Sequence, residues 1–305
     1  MIVRWSLDEL AAVLAELGLE RPLLVASDRW TALDVPRVAH WSEVPSNRVE
    51  VPAAADSLLA VGGGSAIDTA KLASSTSGLP VVSVPTTYSG AEWTTGFGIR
   101  TPDRRLVGGG SGARLAAIVY EVELTLALPR AETVGSALNA LDHCAEALYV
   151  RRRNDAADRC ALEGARLLAS ALPELDRRAL LHGAALAGEA LSLAGVGLAH
   201  AIAQTLGGTY GLPHGAMNAL CLPPVLEFVG GEAVARFGGA IGGVEPAARV
   251  RELARLGGFD RLREFGVPRK ELASVAVSAA GRPGNAAMER PATPAEIEAL
   301  LHSIW

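Results

Sequence analysis

Residues 58–71, LLAVGGGSAIDTAK, limit the fold of this chain more than any other stretch. An apolar run ends in three consecutive glycines, Gly62 to Gly64, and a segment with helical periodicity follows at once. That order predicts a buried strand, a tight turn and a helix N-terminus, the repeating unit of an open α/β sheet. Glycines let a ligand approach the backbone, and the N–H groups and dipole of a first helical turn attract an anion. A dinucleotide pyrophosphate fits, with Gly63, Gly64, Ser65 and, one turn on, Asp68 as candidate contacts. The spacing departs from the common Gly-x-Gly-x-x-Gly fingerprint. Taken alone, the turn is equally well a strand-to-helix connection that binds nothing.

A second apolar run, 80–84, ends in a loop rich in hydroxyls, PTTYSGAEWT. Ligands of an open parallel sheet sit outside the carboxyl ends of its strands, so two successive strands ending this way define one crevice. Thr86, Thr87 and Ser89 are its candidate lining, although each hydroxyl could instead satisfy its own turn.

The α/β alternation holds to about residue 128. Strands are predicted at 23–26, 58–61, 81–84 and 117–120, with helices at 6–17 and 66–75 among them. Ser6 is the expected N-cap of the first helix. Residues 97–107 read as a hairpin turned by Thr101, Pro102, Asp103 and Arg104. After Pro129 long Ala/Leu/Glu/Arg helices replace the strands. The expected fold is therefore an α/β dinucleotide-binding domain with a mostly parallel sheet, 1–128, followed by an all-α catalytic domain, 129–305.

Half of the residues are hydrophobic and a fifth are charged, as in an ordinary globular protein. The formal net charge of -5 argues against a general nucleic-acid binder. Arg151, Arg152 and Arg153 read as a solvated helix end. Cys144, Cys160 and Cys221 lack metal-ligand spacing and are too few for a disulfide framework, which fits a reducing cytosol. The first residues carry no apolar signal region, and no apolar stretch is long enough for a bilayer. The expectation is a cytoplasmic protein that engages neither nucleic acid nor membrane.

GGGSAIDTAK and PTTYSGAEWT resemble the signature loops of the iron-containing alcohol dehydrogenase superfamily, and the PTTY form resembles its maleylacetate reductase branch. The likeness continues through 117–129, 136–149 and 197–215, in the right order and over most of the chain. It implies a dehydroquinate synthase-like architecture, NAD or NADP as cofactor, a small-molecule substrate and a homodimer. Arg105 resembles a basic position of the family and, with Thr125, is expected beside the nucleotide. Between 28 and 57 the chain is about half as long as the resemblance leads one to expect, so a strand–helix unit that helps choose between NAD and NADP looks trimmed.

Asn139 and His143 are four apart in a helical pattern and share a face; His200 and Gln204 repeat that spacing, and His214 lies between Pro213 and Gly215. Each histidine alone is more often a buried, hydrogen-bonded imidazole than a catalyst. In metal-dependent relatives these positions resemble a cage of one carboxylate and three histidines. Here Asn139 takes the carboxylate position, and a neutral amide compensates a cation poorly. Asp142 is read as facing elsewhere on its helix and unable to substitute. Maleylacetate reductases resemble this chain in having Asn there and are understood to work without metal. No metal is therefore expected; if one binds, zinc or iron on His143, His200 and His214 is the arrangement implied. Gln204 departs from both branches, which commonly carry histidine there.

The resemblance implies hydride transfer from a reduced nicotinamide to an activated double bond or carbonyl. His143 and His200 are the preferred proton donors, His214 positions the substrate, and Asn139 helps to stabilise the oxyanion. Two other readings stay open. One is a metal-dependent alcohol dehydrogenase with an unusual amide ligand, the other a nucleotide-binding homologue without activity.

Overall fold

The computed structural model describes residues 1–305 apart from Arg104 and Val244. Its contacts divide into two compact units, Met1–Ala127 and Leu128–Trp305.

The first unit is built on one parallel six-stranded sheet. Its order is β1 (Ile2–Arg4), β8 (Arg114–Val119), β5 (Pro80–Pro85), β4 (Ser57–Gly62), β2 (Pro22–Val25) and β3 (Ala39–Trp41). The central strands are buried on both faces, which explains their near-continuous apolar sequences, interrupted only by buried Ser57 and Ser83. On one face Leu24, Leu59, Val61, Val82 and Val84 meet Leu10, Val13 and Leu14 of α1 (Leu10–Glu16). On the other, Leu23, Leu58, Ala60 and Val81 meet Ile67, Ala70 and Ala73 of α2 (Gly64–Ser77). An antiparallel hairpin, β6 (Phe97–Arg100) and β7 (Leu106–Gly110), follows β5. The expected turn of that hairpin includes Arg104, which lies outside the described residues.

Three differences from the sequence reading have physical causes. β1 and β3 were not anticipated: each has three half-buried residues, too few to show a period. The helix expected over 6–17 is a 3-10 turn, Leu7–Glu9, capped by Ser6 and followed by α1. Between 28 and 57 the chain, expected to lack a strand–helix unit, forms one short strand, β3, preceded by the 3-10 turn Asp28–Trp30.

The second unit is helical and surrounds α3 (Arg130–Ala147), which is buried from Thr133 to Ala147 except at Ser136. Against it pack α4 (Asp155–Ala171), α5 (Arg177–Ala194), α6 (Leu198–Tyr210), α7 (His214–Val229) and α9 (Pro246–Arg255). The fold is completed by α8 (Gly231–Ala240), α10 (Leu272–Ala280), α11 (Pro283–Ala286) and α12 (Pro294–Ser303). Glycines set the tightest crossings. A Cβ on Gly164 of α4 would stand 3.1 Å from the Gly183 carbonyl of α5, and the reverse holds. Among the described residues no single helix is long and apolar enough to cross a membrane.

Candidate active site

In the first unit the two loops of the sequence reading stand side by side. Gly62 has φ 151°, and a Cβ there would lie 2.8 Å from Cβ of Ala66, so glycine is required at this turn. Gly62 pairs with Pro85 in the β4–β5 register, and its carbonyl accepts the Thr86 N–H at 3.0 Å. This register carries Thr87 and Ser89 over the neighbouring glycines. A Cβ on Gly63 would meet Cγ2 of Thr87 at 2.9 Å, and one on Gly64 would meet Oγ of Ser89 at 3.3 Å. No side chain caps α2. The first-turn N–H groups of Gly64 and Ser65 have no partner inside the helix, as an anion site requires.

Three other candidates are engaged locally. Oδ1 of Asp68 pairs with buried Lys71 at 3.0 Å, and its Oδ2 accepts the Gly98 N–H at 3.1 Å. Lys71 Nζ also donates to the carbonyls of Ala91 and Gly96, so the pair ties α2 to the loop and hairpin. Arg105 is 80% exposed and paired with Asp103, and Thr125 gives its hydroxyl to the Val122 carbonyl. Asp68 and Thr125 thus each make bonds that help to hold the fold, and Arg105 lies on the surface.

In the second unit, Asn139 and His143 on α3, His200 on α6 and His214 on α7 come together as expected. α3 and α7 can approach because Gly135 and Gly215 face each other; a Cβ on Gly215 would fall inside any real contact distance of the Gly135 carbonyl. The ring of His143 stacks on that of His200 with centroids 4.6 Å apart, and His214 tilts against His200 at 5.7 Å. Nε2 of His200 lies 3.2 Å from Oδ1 of Asn139.

Behind His200 stand two carboxylates. Nδ1 donates to Oε2 of Glu146 at 2.8 Å, and Oδ2 of Asp142 is 3.1 Å away. The N–H points to Glu146, so among the described residues the Asp142 oxygens receive no well-aligned hydrogen bond. Glu146 also accepts the backbone N–H groups of Gly197 at 2.6 Å and His200 at 3.2 Å. It therefore caps α6, whose N-terminus has no side-chain cap of its own. Burial alone would lower the His200 pKa, but the charges of Asp142 and Glu146 outweigh it and hold the ring protonated. Burial and Glu146 push Asp142 upward, while burial and the neighbouring rings of His200 and His214 push His143 well down.

Two sequence expectations change here. Asp142 does not face elsewhere: residues three apart on a helix are neighbours, and 139, 142, 143 and 146 lie on one face. The expected role of His200 as a proton donor to substrate is also redrawn, because both its ring nitrogens already meet protein groups. Glu146 and Asn218 were missed. Their signals were present, an acid pair four apart at 142 and 146 and an asparagine one turn after His214.

Asp142, Glu146 and His200 form a buried group whose ligand atoms all lie within 4.8 Å of one another, a spacing that could hold a metal ion. Two anionic oxygens and an imidazole nitrogen suit a divalent cation in kind. All three side chains are at most 2% exposed, so an ion there has no open coordination position. The implied set of His143, His200 and His214 is arranged otherwise. Nε2 of His200 and of His214, with Oδ1 of Asn139, converge on the amide nitrogen of Asn218. The residues fit a closed metal site behind His200 and do not fit an open one in front of it. A separate cavity of about 390 Å³, lined by Tyr149, Phe228, Glu232 and Arg290 among others, borders none of the three histidines.

Comparison with known proteins agrees with this organisation. Residues 133–305 match the family model described as Fe-containing alcohol dehydrogenase family, C-terminal, and residues 29–95 match the one described as Iron-containing alcohol dehydrogenase. A maleylacetate reductase of Sphingobium indicum is 36% identical over 241 residues, 75% of this chain and 68% of the relative. One from a Rhizobium species is 34% identical over 277 residues, 85% and 77%. Among solved structures, the Rhizobium maleylacetate reductase gives a TM-score of 0.86 at 28% identity, covering 100% of this chain and 95% of that one. An iron-containing alcohol dehydrogenase of Corynebacterium glutamicum gives 0.85 at 28%, covering 100% and 94%. The chain belongs to the iron-containing alcohol dehydrogenase family, in its maleylacetate reductase branch. It is an oxidoreductase of that type.

Proposed function

We propose that this enzyme uses NADH or NADPH to reduce maleylacetate, or a small acid with the same conjugated ketone, at its double bond. The observation that carries this reading is the buried relay from Asp142 and Glu146 through His200 to Asn139. It keeps a positive imidazolium, without an open metal, beside the groups that would meet the substrate.

Gly63, Gly64 and Ser65 hold the pyrophosphate through backbone N–H groups, with Thr86, Thr87 and Ser89 around it. The cofactor supplies the hydride. Hydride addition to a double bond conjugated with a ketone leaves an enolate, which one proton converts to the saturated ketone. The positive charge of His200, one stacked ring away from His143, favours that enolate; His143 and His214 orient the substrate, and the proton that completes the ketone comes from solvent water. Asn139 keeps His200 in place from the Nε2 side.

A metal-dependent alcohol dehydrogenase is the second reading, supported by the family-model matches; it requires an ion with an open position, which the closed group of Asp142, Glu146 and His200 does not offer. An ion held by those three residues would neutralise the two carboxylates. The expected assembly is a homodimer, which light scattering tests. The deciding experiment follows NADH or NADPH oxidation with maleylacetate and with simple aldehydes. Turnover of maleylacetate in chelator is the expected result. Turnover of aldehydes alone, restored by metal, would replace the first reading with the second.

A further inference from the structure

Asn218 carries no charge and no reactive atom, yet its amide nitrogen is where the cluster in the helical unit converges. It is fully buried on α7, one turn beyond His214. One N–H of Nδ2 meets Oδ1 of Asn139, and the other faces Nε2 of His214 at 3.1 Å. An amide nitrogen only donates, so Nε2 of His214 must accept and its ring proton belongs on Nδ1. Oδ1 of Asn139 then receives Asn218 from one side and the His200 Nε2–H from the other. Turning the Asn218 amide over would set its oxygen against Oδ1 of Asn139, which already accepts from His200. In the observed orientation Oδ1 of Asn218 has no donor among the described residues. A buried carbonyl left unpaired is unfavourable, and the fold accepts it with the N–H groups aimed at this cluster.

We propose that Asn218 is a positioning residue for the reduction, holding the Asn139 carbonyl toward His200 and fixing His214 as its Nδ1–H tautomer. The inference rests on the reading of this cluster as the site of reduction. With Nε2 engaged by Asn218, the proton that His214 offers is on Nδ1, and the ring can present only one edge as donor. Asn139 and His214 come from different helices, and the amide of Asn218 bridges them directly.

Nitrogen-15 labelling of the histidines, read by two-bond proton–nitrogen correlation, reports the tautomer of each ring in the whole protein. His214 should appear as Nδ1–H in the unsubstituted enzyme. Asn218→Asp puts acceptors where donors stood and should move the proton to Nε2; Asn218→Ala should leave the ring without a fixed tautomer. Both variants should lose about 100-fold in kcat, the scale expected when reacting groups are misplaced. Nucleotide affinity, read by nicotinamide fluorescence, should be unchanged. Asn218→Ser, which keeps one donor, should fall between. His214 found as Nε2–H in the unsubstituted enzyme overturns the proposal even if no variant folds. So does a folded Asn218→Ala with unaltered kcat and tautomer. If the enzyme reduces no maleylacetate, the proposed function fails while the tautomer measurement still decides the role of Asn218.

Discussion

Gly215, at the start of α7, lies so close to the carbonyl of Gly135 on α3 that a Cβ would stand under 3.0 Å from it. The contact is backbone against backbone, so no side-chain rotation can relieve an added methyl. Gly215→Ala must push the helices apart, and overpacking of this kind costs about 3 kcal/mol. Because Asn139, His143 and His214 ride on those two helices, turnover should fall with stability. Urea unfolding and kcat measured together test this. An alanine variant with wild-type midpoint and wild-type kcat would show that the close approach does not set the site.

Glu146 accepts three donors with two oxygens, two of them backbone N–H groups at the start of α6. Glu146→Gln keeps the shape but removes the charge and turns one acceptor into a donor. A loss of about 2 kcal/mol near neutral pH is expected for a buried network broken in this way. The pH dependence carries the sign. His200 has a folded pKa raised to about 10, so its stabilising share is complete below the unfolded value of 6.5 and is lost as pH rises toward 10. The lead of the wild type over Glu146→Gln should therefore shrink across that window. A lead independent of pH would mean that Glu146 acts only as a cap.

Much of the first unit was legible because its two binding loops are local. A strand, a glycine turn and a helix follow one another in sequence, and the register of β4 with β5 brings Thr87 and Ser89 to Gly63 and Gly64. The helical cluster was legible only in part. Asn139 and His143 are a local pair, but the bonds of Glu146 to Gly197 and of Asn218 to Asn139 span 51 and 79 residues. No helical period points from one end of such a pair to the other. Asp68 belongs to a recognisable loop and pairs with Lys71 three residues on, but its bond to the hairpin 30 residues on has no local signal.

A substitution at Gly64 tests the binding loop. Its added Cβ would stand 3.3 Å from Oγ of Ser89, and valine adds two further methyls to that crowded position. Gly64→Val should weaken NADH and NADPH by at least about tenfold, since the pyrophosphate needs close backbone approach. Fluorescence titration of a variant with unaltered circular dichroism measures it. Equal affinities would remove this turn from the nucleotide site.

Glu92 offers a pH test within the first unit. Burial raises its pKa to about 7, against the lowering effects of its own backbone, the Tyr120 hydroxyl at 3.0 Å and the charge of Lys71. A carboxyl with a raised folded pKa keeps its proton where the unfolded chain has released it. Stability should thus fall as pH rises from about 4.5 to about 7. Glu92→Gln should remove that slope and gain about 2 kcal/mol at pH 8 if the amide keeps the Tyr120 bond. Thermal unfolding across this range is the measurement, and parallel curves for the two proteins would contradict the assignment.

The metal question turns on which side of His200 an ion sits. On the Nδ1 side Asp142 and Glu146 offer charge but no opening; on the Nε2 side the amide nitrogen of Asn218 stands among the would-be ligands. An ion behind His200 would be structural, so removing it should lower the unfolding temperature without abolishing turnover. Asp142→Asn should abolish any metal that co-purifies, because it takes a charged oxygen from the closed group. His214→Ala should leave metal content unchanged and reduce turnover. Metal analysis of enzyme purified without chelator, repeated on both variants, separates the two positions. Loss of the ion in His214→Ala, with turnover abolished by chelation, would place a catalytic metal in front of His200. The alcohol dehydrogenase reading would then stand in place of the one proposed.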